Sequence, residues 1–137
     1  MIFVDSCVLI DVIEDDPHWA DWSQRQLESA AATQQLVINP VIYAEISVRF
    51  DRMEDVNRLL DAAQITLTDM TREALFLAGK AYQRYRQRGG TRTGTLPDFF
   101  IGAHASVLGA PVITRDASRY AGYFPALRLI APGAGPR

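Results

Sequence analysis

Cysteine is almost absent from the chain: Cys7 is the only one among 137 residues. With no internal disulfide possible, a disulfide-stapled scaffold is excluded and a reducing compartment fits. Histidine is nearly as scarce. His18 and His104 stand far apart and lack metal-ligand spacing, so nothing indicates a histidine pair working as acid and base. No GxGxxG or Walker loop is present, which removes dinucleotide and P-loop readings. No apolar run approaches the roughly 18 residues of a transmembrane helix, and Asp5 interrupts the N-terminus where a signal peptide would continue. A cytoplasmic protein without membrane attachment is expected. Fourteen basic residues against sixteen acidic ones leave a net charge of −2, so bulk charge does not hold this chain on nucleic acid.

What is present describes an ordinary globular domain. The length predicts one domain, and a chain of this size buries roughly two thirds of its unfolded surface. Ile2-Phe3-Val4 reads as a buried strand that stops at Asp5. Ser6 is a candidate cap for an apolar helix through Val8, Leu9, Ile10, Val12 and Ile13. Pro17 suits the first turn of a second helix, with Trp19, Leu27, Ala30 and Ala31 on one face. Leu36-Val37-Ile38 is a second strand, followed by a helical stretch from Val41 to about Arg49. Another helix carries Met53, Val56, Leu60 and Ala63 on a stripe, and Ile65-Thr66-Leu67 reads as the third strand.

Thr71 opens a long helix with Ala74, Ala78, Ala81 and Tyr85 toward the core; Gly89-Gly90 ends it. A helix from Pro97 runs to a stop at Gly109, and strands follow at Pro111–Thr114 and Leu127–Ile130. Residues 1–131 form the predicted domain, and 132–137 a Gly/Pro-rich flexible tail. Short apolar strands alternating with helices predict an α/β fold with a five-stranded, mostly parallel sheet covered on both faces. In such sheets ligands sit outside the carboxyl ends of the strands.

The acids gather at that edge. Asp5 directly follows the first strand and Asp116 lies just past the fourth. Glu45 sits early in the helix after the second strand, and Asp98 in the first turn of its helix. Each has a plainer reading: Asp5 and Asp116 as helix caps, Asp98 with Thr95 as a capping-box variant, Glu45 as a solvated helix position. Four such coincidences at one edge are far less expected than one. Clustered carboxylates repel one another, and a hard divalent cation such as Mg²⁺ or Mn²⁺ relieves the repulsion. A metal held there suits phosphodiester hydrolysis, and two metals about 4 Å apart clamp both the attacking and the leaving oxygen.

The segments MIFVDSCVLID, NPVIYAEI, LPDFFIGAHA and VITRDASRYAGYFPALRLIAP resemble the PIN-domain ribonucleases, and within them the VapC-type toxins of bacterial type II toxin–antitoxin pairs. The likeness runs along essentially the whole chain, and the last segment is its most specific part. It implies a three-layer α/β/α sandwich, a metal-dependent endoribonuclease, an acidic pocket holding Mg²⁺ or Mn²⁺, an RNA substrate, a homodimer, and a cognate antitoxin that obstructs the pocket. Asp5, Glu45, Asp98 and Asp116 match the family's metal-site acids. Ser6 and Thr114 match hydroxyl positions that orient carboxylates. One departure concerns Arg119, which stands where some relatives carry a further acid. The pocket then rests on four acids, with RNA phosphate oxygens completing any second metal site.

The net charge hides a local asymmetry. No acid occurs between Glu73 and Asp98, whereas Lys80, Arg84, Arg86, Arg88 and Arg92 contribute five positive charges. Arg88 and Arg92, with Thr91 and Thr93, are candidate RNA-phosphate contacts, and Arg115 beside Asp116 is another. Their plainer reading is complementation of a helix C-terminus. Trp19 and Trp22 are more readily core or partner contacts than base-stacking groups. The alternatives are a PIN-like nuclease of RNA processing or DNA, and a non-catalytic RNA-binding module of the same fold. A receiver-type phosphoacceptor domain needs a lysine at a late strand end, and the only lysine, Lys80, falls on a helix.

Overall fold

The computed structural model describes residues 1–91 and 96–133; Arg92, Thr93, Thr95 and the tail beyond residue 133 lie outside them. Five strands, β1 (Ile2–Val4), β2 (Leu36–Ile38), β3 (Ile65–Leu67), β4 (Val112–Ile113) and β5 (Leu129–Ile130), form one sheet in the order β3-β2-β1-β4-β5. All four pairings are parallel. Every residue of β1, β2 and β4 is buried, which requires cover on both faces and accounts for their unbroken Val, Ile, Leu and Phe content. Only Ile65 of edge strand β3 is buried; Thr66 and Leu67 face solvent.

The covering helices are α1 (Ser6–Ile13), α2 (Ala20–Ala31), α3 (Pro40–Ser47), α4 (Met53–Ala62), α5 (Arg72–Gln87), α6 (Pro97–Leu108) and the short α7 (Ser118–Ala121). Together with the sheet they make the expected α/β/α sandwich. None of the described helices is long and apolar enough to cross a membrane. The strand order fixes where a ligand can sit. From β1 the chain moves outward through β2 to β3, then returns to place β4 on the other side of β1. The carboxyl ends of β1 and β4 therefore flank the switch point where a crevice opens.

Several local expectations hold. The helix expected from Val41 is present as α3, with Pro40 in its first turn and Asn39 Oδ1, a cap not singled out in the sequence, accepting from Ile42 N at 2.9 Å. Thr71 Oγ1 accepts from Ala74 N at the start of α5. Gly109, at φ 65°, ends α6 in a conformation a side chain would resist. Others are corrected. Pro17 lies before α2 rather than in its first turn, because Asp16 Oδ1 takes the amides of His18 and Trp19 and holds a turn ahead of Ala20. Ala31 and Met53 are exposed, so the buried stripes are Ser23, Leu27 and Ala30 on α2 and Val56 and Leu60 on α4. Ser6 makes no capping bond to α1; its hydroxyl is used in the site.

His104 of α6 is fully buried against the Phe3 ring at 5.0 Å, with Nδ1 3.4 Å from Asn39 Nδ2. Burial holds its pKa below the ordinary value, with the Asp69 backbone opposing in part. The unfolded chain then binds the proton more readily than the folded one. This contribution is full above about pH 6.5 and is lost as pH falls through that value, by at most about 1.4 kcal/mol per pH unit for one proton. Thermal melts between pH 7.5 and 5 are expected to fall less steeply for His104→Phe than for the unmodified chain. Parallel curves would refute the assignment.

Candidate active site

The first acid is placed by the central strand. Asp5 ends β1, its amide bonded to Ile113 O of β4 at 2.9 Å, and its side chain is fully buried. Two hydroxyls converge on Oδ2: Thr114 Oγ1 donates at 2.8 Å and Tyr120 OH at 2.7 Å. Oδ1 faces Ser6 Oγ at 3.4 Å, but that hydroxyl lies nearer Glu45 Oε1, at 3.0 Å, and donates there. Ser6 thus bridges the strand-end acid and the α3 acid.

Thr114 performs the same service on the other side. While donating to Asp5, its Oγ1 accepts from Asp116 N at 3.1 Å, which ties the start of the loop after β4 to β1. Asp116 Oδ1 in turn accepts from the amide and hydroxyl of Ser118 at the start of α7. Asp98, in the first turn of α6, faces Arg119, whose Nη1 is 3.9 Å from Oδ1; Arg119 Nε is 3.3 Å from Asp116 Oδ2. The four acids expected at this edge are therefore joined by one network through Ser6, Thr114 and Arg119.

Their electrostatics follow from this proximity and differ by depth. Burial raises the pKa of half-buried Glu45; the Ser6 hydrogen bond works against it, and the charges of Asp5 and Asp98 add to it. Burial likewise raises Asp98, opposed by Arg119 and reinforced by Asp5 and Asp116. Asp116 is the most open and moves the other way, held below the ordinary carboxylate value chiefly by the Ser118 hydroxyl. Burial disfavours the charge on Arg119, yet Asp98, Asp5 and Asp116 together outweigh it and raise its pKa.

As they stand, no three His, Cys, Asp or Glu side chains among the described residues are gathered tightly enough to hold a metal ion. The donor chemistry nonetheless fits a hard divalent cation. All four groups are carboxylates, and the cationic Arg119 already lies between two of them.

Three features escaped the sequence reading. Tyr120 was part of a recognised segment without a role, yet it is fully buried and bonded to Asp5. Burial and the Asp5 charge lift its pKa well above the ordinary tyrosine value, so it stays a donor. Asp11 of α1 is buried and accepts from Ser23 Oγ at 2.9 Å. Arg115, a candidate RNA contact, stands against Asp11, with Nε 3.0 Å from Oδ2 and its guanidinium over the Trp19 ring. That Nε is off the line a hydrogen bond requires, so the pair is held by charge.

Arg88 is exposed, donates to Gly122 O at 3.0 Å and covers the Tyr123 ring. Together with Arg84, bonded to Tyr123 O, it fastens α5 to the segment after α7. Trp19 and Trp22 pack edge to face. Cys7 is pushed up to about 11, by burial first and the Asp5 charge second, and is no nucleophile at neutral pH.

A parallel sheet with acids at its switch point, one of them buried under two hydroxyl donors, defines an α/β protein with an acidic cluster at the carboxyl edge of its sheet. The PIN domain family profile matches residues 2–121, and the chain belongs to that family of nucleases. Solved structures share the fold. VapBC2 from Rickettsia felis bound to a promoter DNA fragment matches with TM-score 0.71 and 21% identity, covering 96% of this chain and 98% of that one. A toxin–antitoxin complex from Klebsiella pneumoniae gives the same values. FitAcB from Neisseria gonorrhoeae matches at 0.64 and 18%, covering 98% of this chain and 100% of that one. Comparison with curated proteins returns no match.

Proposed function

We propose that the chain is a metal-dependent endoribonuclease toxin of the VapC type, restrained by a cognate antitoxin and acting as a homodimer. The observation that carries the reading is the network joining Asp5, Glu45, Asp98 and Asp116, drawn from four separate segments to the switch point of the sheet. The toxin–antitoxin neighbours support the biological role.

Asp5, Asp98, Asp116 and Glu45 would hold Mg²⁺ or Mn²⁺. Once bound, the cation polarises a phosphoryl oxygen and eases deprotonation of water. Thr114 and Tyr120 hold Asp5 Oδ2, leaving Oδ1 for the pocket. Glu45, held by Ser6 Oγ at 3.0 Å, would take the proton of the attacking water. The water oxygen would bond to phosphorus as the P–O3′ bond breaks in line, and the departing 3′ oxygen takes a proton from solvent, so the products are a 5′-phosphate and a 3′-hydroxyl. Exposed Arg88 would supply a phosphate contact, and Arg92, which lies outside the described residues, is the second candidate.

Purified protein incubated with total bacterial RNA and Mn²⁺ is expected to leave 5′-phosphate ends, read by ligation-dependent sequencing, and none with EDTA. Cyclic 2′,3′-phosphate ends would overturn the mechanism. Binding of RNA without cleavage would favour a non-catalytic module, and cleavage confined to DNA would favour the alternative nuclease.

A further inference from the structure

Arg119 is the one cation the described structure places among the four acids. It sits on α7, three residues past Asp116, with its side chain 44% exposed. Nε lies 3.3 Å from Asp116 Oδ2, while Nη1 reaches across to Asp98 Oδ1 at 3.9 Å. Neither contact closes the two-pronged geometry that makes an Arg–carboxylate pair strong. Arg119 has no other ion-pair partner among the described residues. Its attachment is thus weak, doubly shared and reversible.

The carboxylates, for their part, have no substitute. Asp116 Oδ1 is taken by Ser118, Glu45 by Ser6 and Asp5 Oδ2 by Thr114 and Tyr120. For Asp98, and for the second oxygen of Asp116, Arg119 supplies the neutralising charge. A divalent cation held by Asp98 and Asp116 would draw on the same carboxylates that Arg119 faces. The guanidinium and the divalent ion would compete for the same two carboxylates, since two cations held side by side repel each other.

Resting on the metal-dependent reading above, we propose that Arg119 is the resident counter-cation of the pocket. It holds Asp98 and Asp116 in the metal-free chain and is displaced from them when a divalent ion binds. Arg119 is then a positioning residue that sets how much free metal the enzyme requires. The metal-free pocket is stabilised by the same contacts that weaken metal binding.

The test compares the unmodified chain with Arg119→Ala and Arg119→Lys, using Mn²⁺ alone, by titration calorimetry and thermal melts without RNA. Two half-exposed ion pairs are worth little each, so Arg119→Ala is expected to bind Mn²⁺ about 3- to 10-fold more tightly. In EDTA the same variant is expected to melt lower than the unmodified chain by a few degrees. In excess Mn²⁺ it gains a larger upward shift, because binding to the folded state stabilises in proportion to affinity. Arg119→Lys, which keeps the charge, is expected to behave like the unmodified chain in both. If the unmodified chain binds Mn²⁺ and Arg119→Ala binds it equally or more weakly, the proposal is overturned while the metal reading stands. If neither binds and Asp98→Asn matches them, the metal reading itself fails and this inference falls with it.

Discussion

Asp5→Asn is expected to leave the chain folded and to reduce RNA cleavage at least ~100-fold, on the scale by which even an outer partner of a metal ligand matters. The same change is expected to relieve growth arrest when the chain is expressed in a bacterial host. The side chain is isosteric, and its carbonyl oxygen can still accept from Thr114 and Tyr120, which donate to Oδ2 in the unmodified chain. The amide NH₂ then points where Oδ1 faced the pocket, and it offers a donor where a cation needs a lone pair. Fold and chemistry are thereby separated in one substitution. Equal growth arrest by both chains, at matched protein levels and with the variant's melt unchanged, would remove Asp5 from the mechanism.

That separation reflects what a sequence can and cannot carry. The strand ends were legible because β1, β2 and β4 are unbroken apolar runs buried on both faces. The side on which their acids emerge follows from parallel topology alone. Asp5 and Asp116 could be placed without knowing any contact. Tyr120 could not: it reaches Asp5 across 115 positions, and no periodicity encodes whether a tyrosine hydroxyl in a short helix points inward. Arg115 has a partner that the sequence does not announce. A basic residue beside a catalytic-edge acid looks like a phosphate contact, but a buried carboxylate on α1 captures it. Asp11 sits inside the apolar run from Val8 to Ile13, where nothing in the pattern marks it. Arg88 was visible as charge, and its bond to Gly122 O depends on how α5 meets the turn after α7. Each miss involves a polar side chain whose partner lies far along the chain, where hydrophobic patterning carries no information.

The double variant Thr114→Val, Tyr120→Phe strips both donors from Asp5 Oδ2 while preserving the shapes that fill the core. Thr114 and Tyr120 are fully buried, and so is Asp5. A buried carboxylate that loses a hydrogen bond loses about 1.5–3 kcal/mol per bond to a charged group. Two bonds on one oxygen are not independent, so the coupling matters more than the sum. Tyr120→Phe alone costs one donor and little packing. Thr114→Val costs more, because Thr114 Oγ1 also accepts the Asp116 amide, and that N–H is left without its partner. Each single change is expected to lower cleavage by about 10- to 100-fold and to lower the melting temperature measurably. The double variant is expected to lose less activity than the product of the two, since once Asp5 is free to rotate, the second donor has less left to orient. Multiplicative losses would show that the two hydroxyls act on different groups. A double variant with unchanged Mn²⁺ affinity but reduced stability would confine them to holding the fold.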